Sequence, residues 1–271
     1  MTFSVAVQVY SVRDDASADL RGTLEKIKKM GYDGVELAGL YGNDPADIKK
    51  MCDDIGLVPI SAHVPYVDLV ADTEGVLAQY ATIGCKFVAV PYLNTEYRPG
   101  TDKFPEVIEN IKMIGKKAKE LGIQLVYHNH DFEFLKLDGK YALDILYDEV
   151  PAEYLETELD TCWVNVGGEV PSVYLRKYDG RARILHLKDF FGEKSDDMYE
   201  LIGIDNKAPS KPKNFEFRPV GSGIQNFPEI LDAAKLAGTE WIVVEQDKPS
   251  MGLTPLESIE KSRQYLKSIG Y

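Results

Sequence analysis

Six times along this chain a helix-forming stretch runs into a glycine and a short apolar segment follows. The segments are MGYDGVEL at Gly31, IGLVPISA at Gly56, IGCKFVAV at Gly84, LGIQLVYH at Gly122, DGRARILHLK at Gly180 and AGTEWIVVE at Gly238. Glycine suits the left-handed residue that ends a helix, and short αβ loops let a strand begin within a few residues. FSVAVQV at the N-terminus and YLETELD, entered through Pro151, bring the strands to eight. Helical periodicity over Leu20–Met30, Phe104–Leu121, Phe227–Ala237 and Pro255–Ile269 fills intervals between them and closes the chain. Strands joined by helical crossovers require a parallel sheet. Eight such units predict an α/β fold, a single (β/α)8 TIM barrel over residues 1–271. A doubly wound open sheet is the structural rival, but no GxGxxG follows the first strand. The long irregular stretch from Phe190 to Gln225, after strand seven, reads as a lid over the barrel mouth with a short hairpin in it.

Composition narrows the partners. A net charge of −13 argues against nucleic acid, whose phosphates need a basic surface. The run Lys116-Lys117-Ala118-Lys119 reads as the solvated face of a helix. No apolar run approaches the ~20 residues of a membrane span, and MTFSVAVQVY lacks the marks of a signal peptide. Cys52, Cys85 and Cys162 have no CxxC spacing and read as reduced, buried thiols of a cytoplasmic protein. Whether the chain forms a homo-oligomer is not written in the sequence.

In such a barrel the reactive groups stand at the C-terminal ends of the strands. Strand one ends in Gln8 and Tyr10, strand two in Glu36 and strand three in His63. Strand five ends in His128 and His130, with Glu133 just beyond, and strand six carries Glu158 and Asp160. Strand seven carries His186, Lys188 and Asp189; strand eight ends in Glu245, with Asp247 two residues on. All four histidines of the chain fall at these ends. Acids brought together raise one another's pKa, and burying an unpaired carboxylate costs several kcal/mol. A divalent cation removes that conflict. Asp160, His186 and Glu245 form the constellation best suited to one ion. Mixed carboxylate and imidazole donors suit Mn2+, Co2+, Fe2+ or Zn2+ better than Ca2+, and the lack of thiolate ligands argues against a structural zinc. Singly, the neighbours have plainer readings. Glu36 suits a structural hydrogen bond, His63 a satisfied core histidine, Asp247 an orienting or capping role, and Lys188 a salt bridge to Asp189 or Glu245. Glu158 alone can equally point away from the mouth.

The stretches YHNHDFEF, ELDTCWV, ILHLKD, RPVGSGIQNFPEIL and IVVEQD, preceded by SVAVQVYSVRD, run in order along the chain. They resemble the sugar phosphate isomerase/epimerase group of the xylose-isomerase-like TIM barrels. The resemblance implies one divalent metal ion, with Mn2+ first and Co2+, Fe2+, Zn2+ or Mg2+ as alternatives. Its ligands would be a glutamate, an aspartate, a histidine and a glutamate from strands five to eight. The last three carry over to Asp160, His186 and Glu245. Strand five ends in His128 where many relatives have the glutamate, so Glu133 is expected as the fourth ligand with His128 as its competitor. The ketose epimerases of the group have a histidine three residues after the strand-six aspartate; this chain has Trp163, an apolar floor for a sugar ring. The endonuclease of the group needs more histidines and a basic groove, which this chain lacks.

The chemistry implied is removal of a proton next to the carbonyl of a keto-sugar or related polyol, through an enediolate, with isomerisation or epimerisation as the outcome. Loss of a β-substituent, as in an inosose dehydratase-like reaction or keto-glycoside elimination, is the alternative, and a barrel that only binds carbohydrate is a third reading. His130 is the first candidate for the base: it shares a strand face with His128, and a histidine titrates near neutrality. Glu245 or Glu158 can serve instead, and Lys188 is expected to neutralise developing oxyanion charge. Gln8, Glu36, His63, His128, Trp163 and Asp247 are the expected substrate contacts. Nothing resembles a dedicated phosphate loop.

Overall fold

The computed structural model describes residues 3–194 and 215–271. Its main sheet has eight parallel strands: β1 (Ser4–Gln8), β2 (Gly34–Leu37), β3 (Val58–Ala62), β4 (Phe87–Val90), β5 (Gln124–His128), β6 (Glu156–Asp160), β7 (Ile184–Leu187) and β8 (Trp241–Val244). The order around the sheet is β3-β2-β1-β8-β7-β6-β5-β4. β1 pairs with both β2 and β8, so the last strand returns to the first. The seam between β3 and β4 is closed by a bridge from His63 to Ala89. Two backbone bonds flank it, from Lys86 N–H to Ile60 O and from Val64 N–H to Ala89 O, both 3.0 Å. The eight strands expected from sequence are all present, and they form a TIM barrel.

Outside the strands run α1 (Leu20–Met30), α2 (Pro45–Ile55), α3 (Thr73–Ile83), α4 (Phe104–Glu120), α5 (Ala142–Glu149), α6 (Pro171–Arg176), α7 (Phe227–Ala237) and α8 (Pro255–Ser268). α1 and α7 end on Gly31 and Gly238 at φ of 94° and 82°, where a side chain would be strained. Gly115 has a different task. A Cβ there would lie 2.1 Å from the carbonyl oxygen of Tyr154, so its absence lets α4 press onto the segment that enters β6.

The apolar core has two layers. Between strands and helices lie outward residues such as Val7, Val35, Leu125, Leu159, Leu185 and Val244. Inside the barrel, Ala6, Ile60, Phe87, Ala89, Val126, Ile184, Trp241 and Val243 form a separate cluster. Side chains alternate along a strand, so the position two residues beyond an inward apolar residue also points inward. There the chemistry changes. Gln8 follows Ala6, His128 follows Val126, His186 follows Ile184, and Glu245 follows Val243. A dry floor thus carries a polar upper layer at the strands' C-terminal ends.

After β7, Asp189–Phe191 pairs antiparallel with Glu216–Arg218. Residues 195–214, which hold most of the expected lid, lie outside the described residues. The GSG of the following segment wraps the Asp189 carboxylate. Gly221 N–H and Gly223 N–H donate to Oδ2 at 3.0 and 2.7 Å, and Phe190 N–H and Gln225 N–H donate to Oδ1 at 2.9 and 3.2 Å. This fixes the chain direction immediately after Lys188. The three cysteines are free and buried. No helix among the described residues is long and apolar enough to cross a membrane.

Candidate metal centre and substrate cavity

Asp160 ends β6 and begins a short helix, Thr161–Val166. Its Oδ1 caps that helix, accepting from Cys162 N–H at 2.8 Å and Trp163 N–H at 3.1 Å. Asp160 N–H donates to Asn129 Oδ1 at 3.0 Å, so the Asn of YHNHDFEF ties the ends of β5 and β6 together. One oxygen of Asp160 is therefore committed to structure. Oδ2 is buried, accepts no hydrogen bond, and lies 3.3 Å from Lys188 Nζ.

Around that oxygen stand three further donors. His128 Nε2 is 3.7 Å from Asp160 Oδ2 and 3.9 Å from Glu245 Oε2, and His186 Nδ1 is 3.2 Å from Glu245 Oε2. Ligand atoms of His128, Asp160, His186 and Glu245 all lie within 4.8 Å of one another. Two ligands ~2.1 Å from one ion are at most ~4.2 Å apart, so closing on a cation asks for about half an ångström of movement. All four residues are buried. Oxygen and imidazole donors around a buried Asp160 oxygen that accepts no hydrogen bond fit a divalent transition metal.

Beneath this group lies a second polar layer. His186 Nε2 is 2.7 Å from Glu36 Oε2, which also accepts from Gln8 Nε2 at 2.7 Å. His63 Nε2 lies 3.0 Å from Glu36 Oε2 and 2.9 Å from Glu158 Oε2, and His128 Nδ1 is 3.5 Å from Glu158 Oε2. His63, His128, Glu158 and His186 therefore make a second group of close ligand atoms, sharing two histidines with the first. Acidic groups outnumber the fixed cation here, and His63 and His186 offset part of the excess: burial opposes their charge, but Glu36 and Glu158 outweigh it and raise both. Glu36, Glu158, Asp160, Glu245 and Asp247 are all buried, while the Lys188 ammonium reaches Glu245 and Asp247 at 2.8 Å each besides Asp160. Uncompensated, such a cluster is costly, and a bound dication is one way to balance it.

The titration pattern follows from these contacts. Burial pushes Glu158 up to about 8, with the Glu36 carboxylate adding to the effect. For Glu36 burial acts in the same direction but is outweighed by His63 and His186, which hold it well below the carboxylate range. Burial likewise opposes the charge on Lys188, yet Asp247, Glu245 and Asp160 raise it well above an ordinary lysine. His130 goes the other way: burial first and the Lys188 ammonium second push it well below the usual histidine value.

A cavity of about 610 Å3 opens over this centre. Tyr10, His63, His128, His130, Lys188, Glu245 and Asp247 line its inner end. The His130 ring lies parallel to Phe132 at 5.6 Å, edge-on to Tyr92 at 5.1 Å and 5.0 Å from Trp163. Among the expected substrate contacts, His63, His128 and Asp247 face the cavity. Gln8 and Glu36 are buried in the layer below, bonded to each other, and Trp163 stands behind His130. Glu158, expected as an alternative base, also sits in the lower layer against His63.

Glu133, expected as the strand-five ligand, is elsewhere. Its Oε1 accepts from Tyr127 OH at 2.6 Å and its Oε2 from His130 N–H at 2.8 Å, so both oxygens hold the β5 exit together. His128 stands with Asp160, His186 and Glu245 in its place. The lining residues that sequence reasoning passed over are on the β2, β3 and β4 side, among them Val67, Tyr92 and Asn94. Tyr92 and Asn94 follow β4 directly in VPYLN, and reading the end of that strand like the others would have found them.

Comparison with known proteins places this geometry in a wider group. The model of the xylose isomerase-like TIM barrel family matches residues 24–269. An inosose dehydratase from Lacticaseibacillus casei is 23% identical over 273 residues, covering 90% of this chain and 87% of that protein. A sugar phosphate isomerase/epimerase structure from Parabacteroides distasonis superposes with a TM-score of 0.78 at 24% identity, covering 100% of this chain and 96% of its own. The IOLI protein, solved with a bound zinc atom, gives a TM-score of 0.73 at 16% identity over 98% of each chain. At such identities the two structures speak for the fold alone. The family match spans most of the chain, and the chain belongs to the xylose isomerase-like TIM barrel family.

Proposed function

We propose that the chain is a divalent-metal-dependent enzyme acting on a keto-sugar or related polyol by removing a proton next to the carbonyl. The observation that carries this reading is the group of four buried donor atoms within 4.8 Å of one another at the inner end of a large cavity. His128, Asp160, His186 and Glu245 would hold the ion, and Mn2+ is the first candidate. When bound, such an ion supplies Lewis acidity toward a carbonyl and its neighbouring hydroxyl.

The remaining work falls to side chains. Glu36, bonded to Nε2 of His186, fixes that ring and leaves Nδ1 for the ion. His130 faces the cavity and is kept unprotonated by burial and by Lys188, so it can accept a proton, at some cost in basicity. The Lys188 ammonium, held by three carboxylates, opposes negative charge developing on a substrate oxygen. The apolar floor of the barrel and the Phe132 and Trp163 rings beside His130 bring apolar surface close to the reacting carbon.

Isomerisation or epimerisation is the first outcome we assign. A dehydratase outcome is the second reading, favoured by relatives named inosose dehydratase. In that case the proton removed next to the carbonyl is followed by departure of a β-hydroxyl as water. The test is a screen of keto-sugars and inososes with Mn2+ in D2O, read by mass spectrometry. Deuterium uptake that Asp160→Asn abolishes supports the reading, and a product lighter than its substrate by one water would identify dehydration. No exchange into any of them by metal-loaded protein would contradict it.

A further inference from the structure

A histidine that accepts a proton must aim one ring nitrogen in one direction. The last torsion of its side chain is broad and roughly two-fold, so packing has to set the plane of the ring. The backbone of His130 is held by Glu133, whose Oε2 accepts from its N–H at 2.8 Å. Its imidazole is held by neighbouring rings. Phe132 lies parallel to it at 5.6 Å between centroids, with 3° between the planes. Tyr92 stands edge-on at 5.1 Å and 84°, and Trp163 is 5.0 Å away at a tilt of 36°. Such separations fall within the ~4.5–7 Å of attractive aromatic contacts.

Trp163 is fully buried on the short helix that Asp160 caps. Phe132 and Tyr92 are half-buried and stand on loops, after β5 and β4. They meet edge-on at 5.6 Å and 85°. One side chain joins them. The Arg98 guanidinium lies over both rings, its Cζ 4.4 Å from the centroid of Phe132 and 5.0 Å from that of Tyr92. The ring quadrupole attracts a cation over its face, and a flat guanidinium stacks there as an ammonium does not. Arg98 is itself pinned. Its Nε donates to Leu93 O at 3.0 Å and its Nη2 donates to Tyr92 OH. Its carbonyl accepts from Thr101 Oγ at 2.8 Å, just before α4. A residue of the β4 loop therefore grips the two loop-borne rings that border His130.

Resting on the reading of His130 as the proton acceptor, we propose that Arg98 is a positioning residue of the reaction. Through Phe132 and Tyr92 it holds the His130 imidazole in the plane that proton removal requires. Arg98 is not among the described residues that line the cavity, so its loss is expected in kcat and not in KM. A misplaced reacting group costs up to ~10²-fold even when the change lies away from the chemistry.

Two measurements keep this proposal separate from the reading it rests on. The first is NMR of the histidine ring protons in Zn2+-loaded protein, which is diamagnetic and needs no turnover. The His130 signals are those lost in His130→Gln, and stacking on Phe132 displaces them by its ring current. Arg98→Met should move them toward the position of an unstacked histidine, with circular dichroism unchanged. The second is deuterium exchange into whichever keto-sugar or inosose the Mn2+-loaded parent turns over. Arg98→Met should lower kcat at least about tenfold and leave KM within about threefold. Arg98→Lys, which returns the cation without the flat stack, should recover part of the loss. Phe132→Leu removes the same grip from the other side and should reproduce both effects, so the proposal stays testable if Arg98→Met does not fold. Moved signals in a protein whose parent exchanges no substrate would support the grip on the ring and overturn the proton-transfer reading. Unmoved signals, an unchanged kcat, or a fall in kcat matched by a rise in KM would overturn the positioning role.

Discussion

Glu36 and His186 come from strands on different sides of the barrel, yet Glu36 Oε2 lies 2.7 Å from His186 Nε2. The other ring nitrogen of His186 faces Glu245 at 3.2 Å. One carboxylate thus orients the imidazole that a metal would use. Losses of such supporting carboxylates cost ~10–100-fold in metal affinity elsewhere. Glu36→Gln is expected to weaken Mn2+ binding by about that factor while the protein stays folded, as measured by metal titration with circular dichroism as the control. Unchanged affinity would remove the orienting role.

Glu133 is tied by Tyr127 and by the His130 backbone, outside the four-donor group. Glu133→Gln should leave Mn2+ affinity within about threefold, a change under ~1 kcal/mol. His128→Ala should lower it at least about tenfold. The reverse ranking in the same titration would return the strand-five ligand to Glu133.

His130 touches the cavity and no atom of the four-donor group defines it as a ligand. His130→Gln should preserve metal binding and slow turnover by at least ~10²-fold if this ring accepts the proton. Single-turnover exchange kinetics are the readout, and turnover within a fewfold of the parent would assign the base elsewhere.

Far from the cavity, Asp144 gives a pH prediction. Burial raises its pKa, but Lys177 and the hydroxyls of Tyr178 and Tyr174 outweigh that and hold it below the ordinary value. The folded carboxyl therefore binds its proton less readily than the unfolded one, whose pKa is ~3.9. The stabilisation is fully present above that unfolded value and is lost as pH falls through the lower folded value. Asp144→Asn should cost ~1–3 kcal/mol near neutrality and much less in strong acid, by urea unfolding at several pH values. A pH-independent cost would show that the charge is not what matters there.

Much of this architecture was legible in the chain because it is written locally. Gly31 and Gly238 mark helix ends through a backbone conformation few other residues accept, and the period-two pattern in ILHLKD and IVVEQD puts His186, Lys188 and Glu245 on the inner face. That Glu133 stands apart from His128 was not legible. It depends on Tyr127, whose hydroxyl donates to Glu133 from a position that sequence spacing does not reveal. The second group that Glu36 and Glu158 form with His63 and His186 was not legible either, because it is made by side chains of β2, β6, β7 and the end of β3 meeting inside the barrel. Trp163 was read as a sugar floor; instead it backs His130, because the helix capped by Asp160 turns it behind the lining.

The central claim is one divalent ion held by His128, Asp160, His186 and Glu245. Anomalous diffraction at the manganese edge, from crystals grown with Mn2+, tests it most directly. The account predicts a single strong peak about 2.2 Å from one atom of each of these four residues. No peak at saturating Mn2+, or a peak held through Glu133 instead of His128, would contradict it.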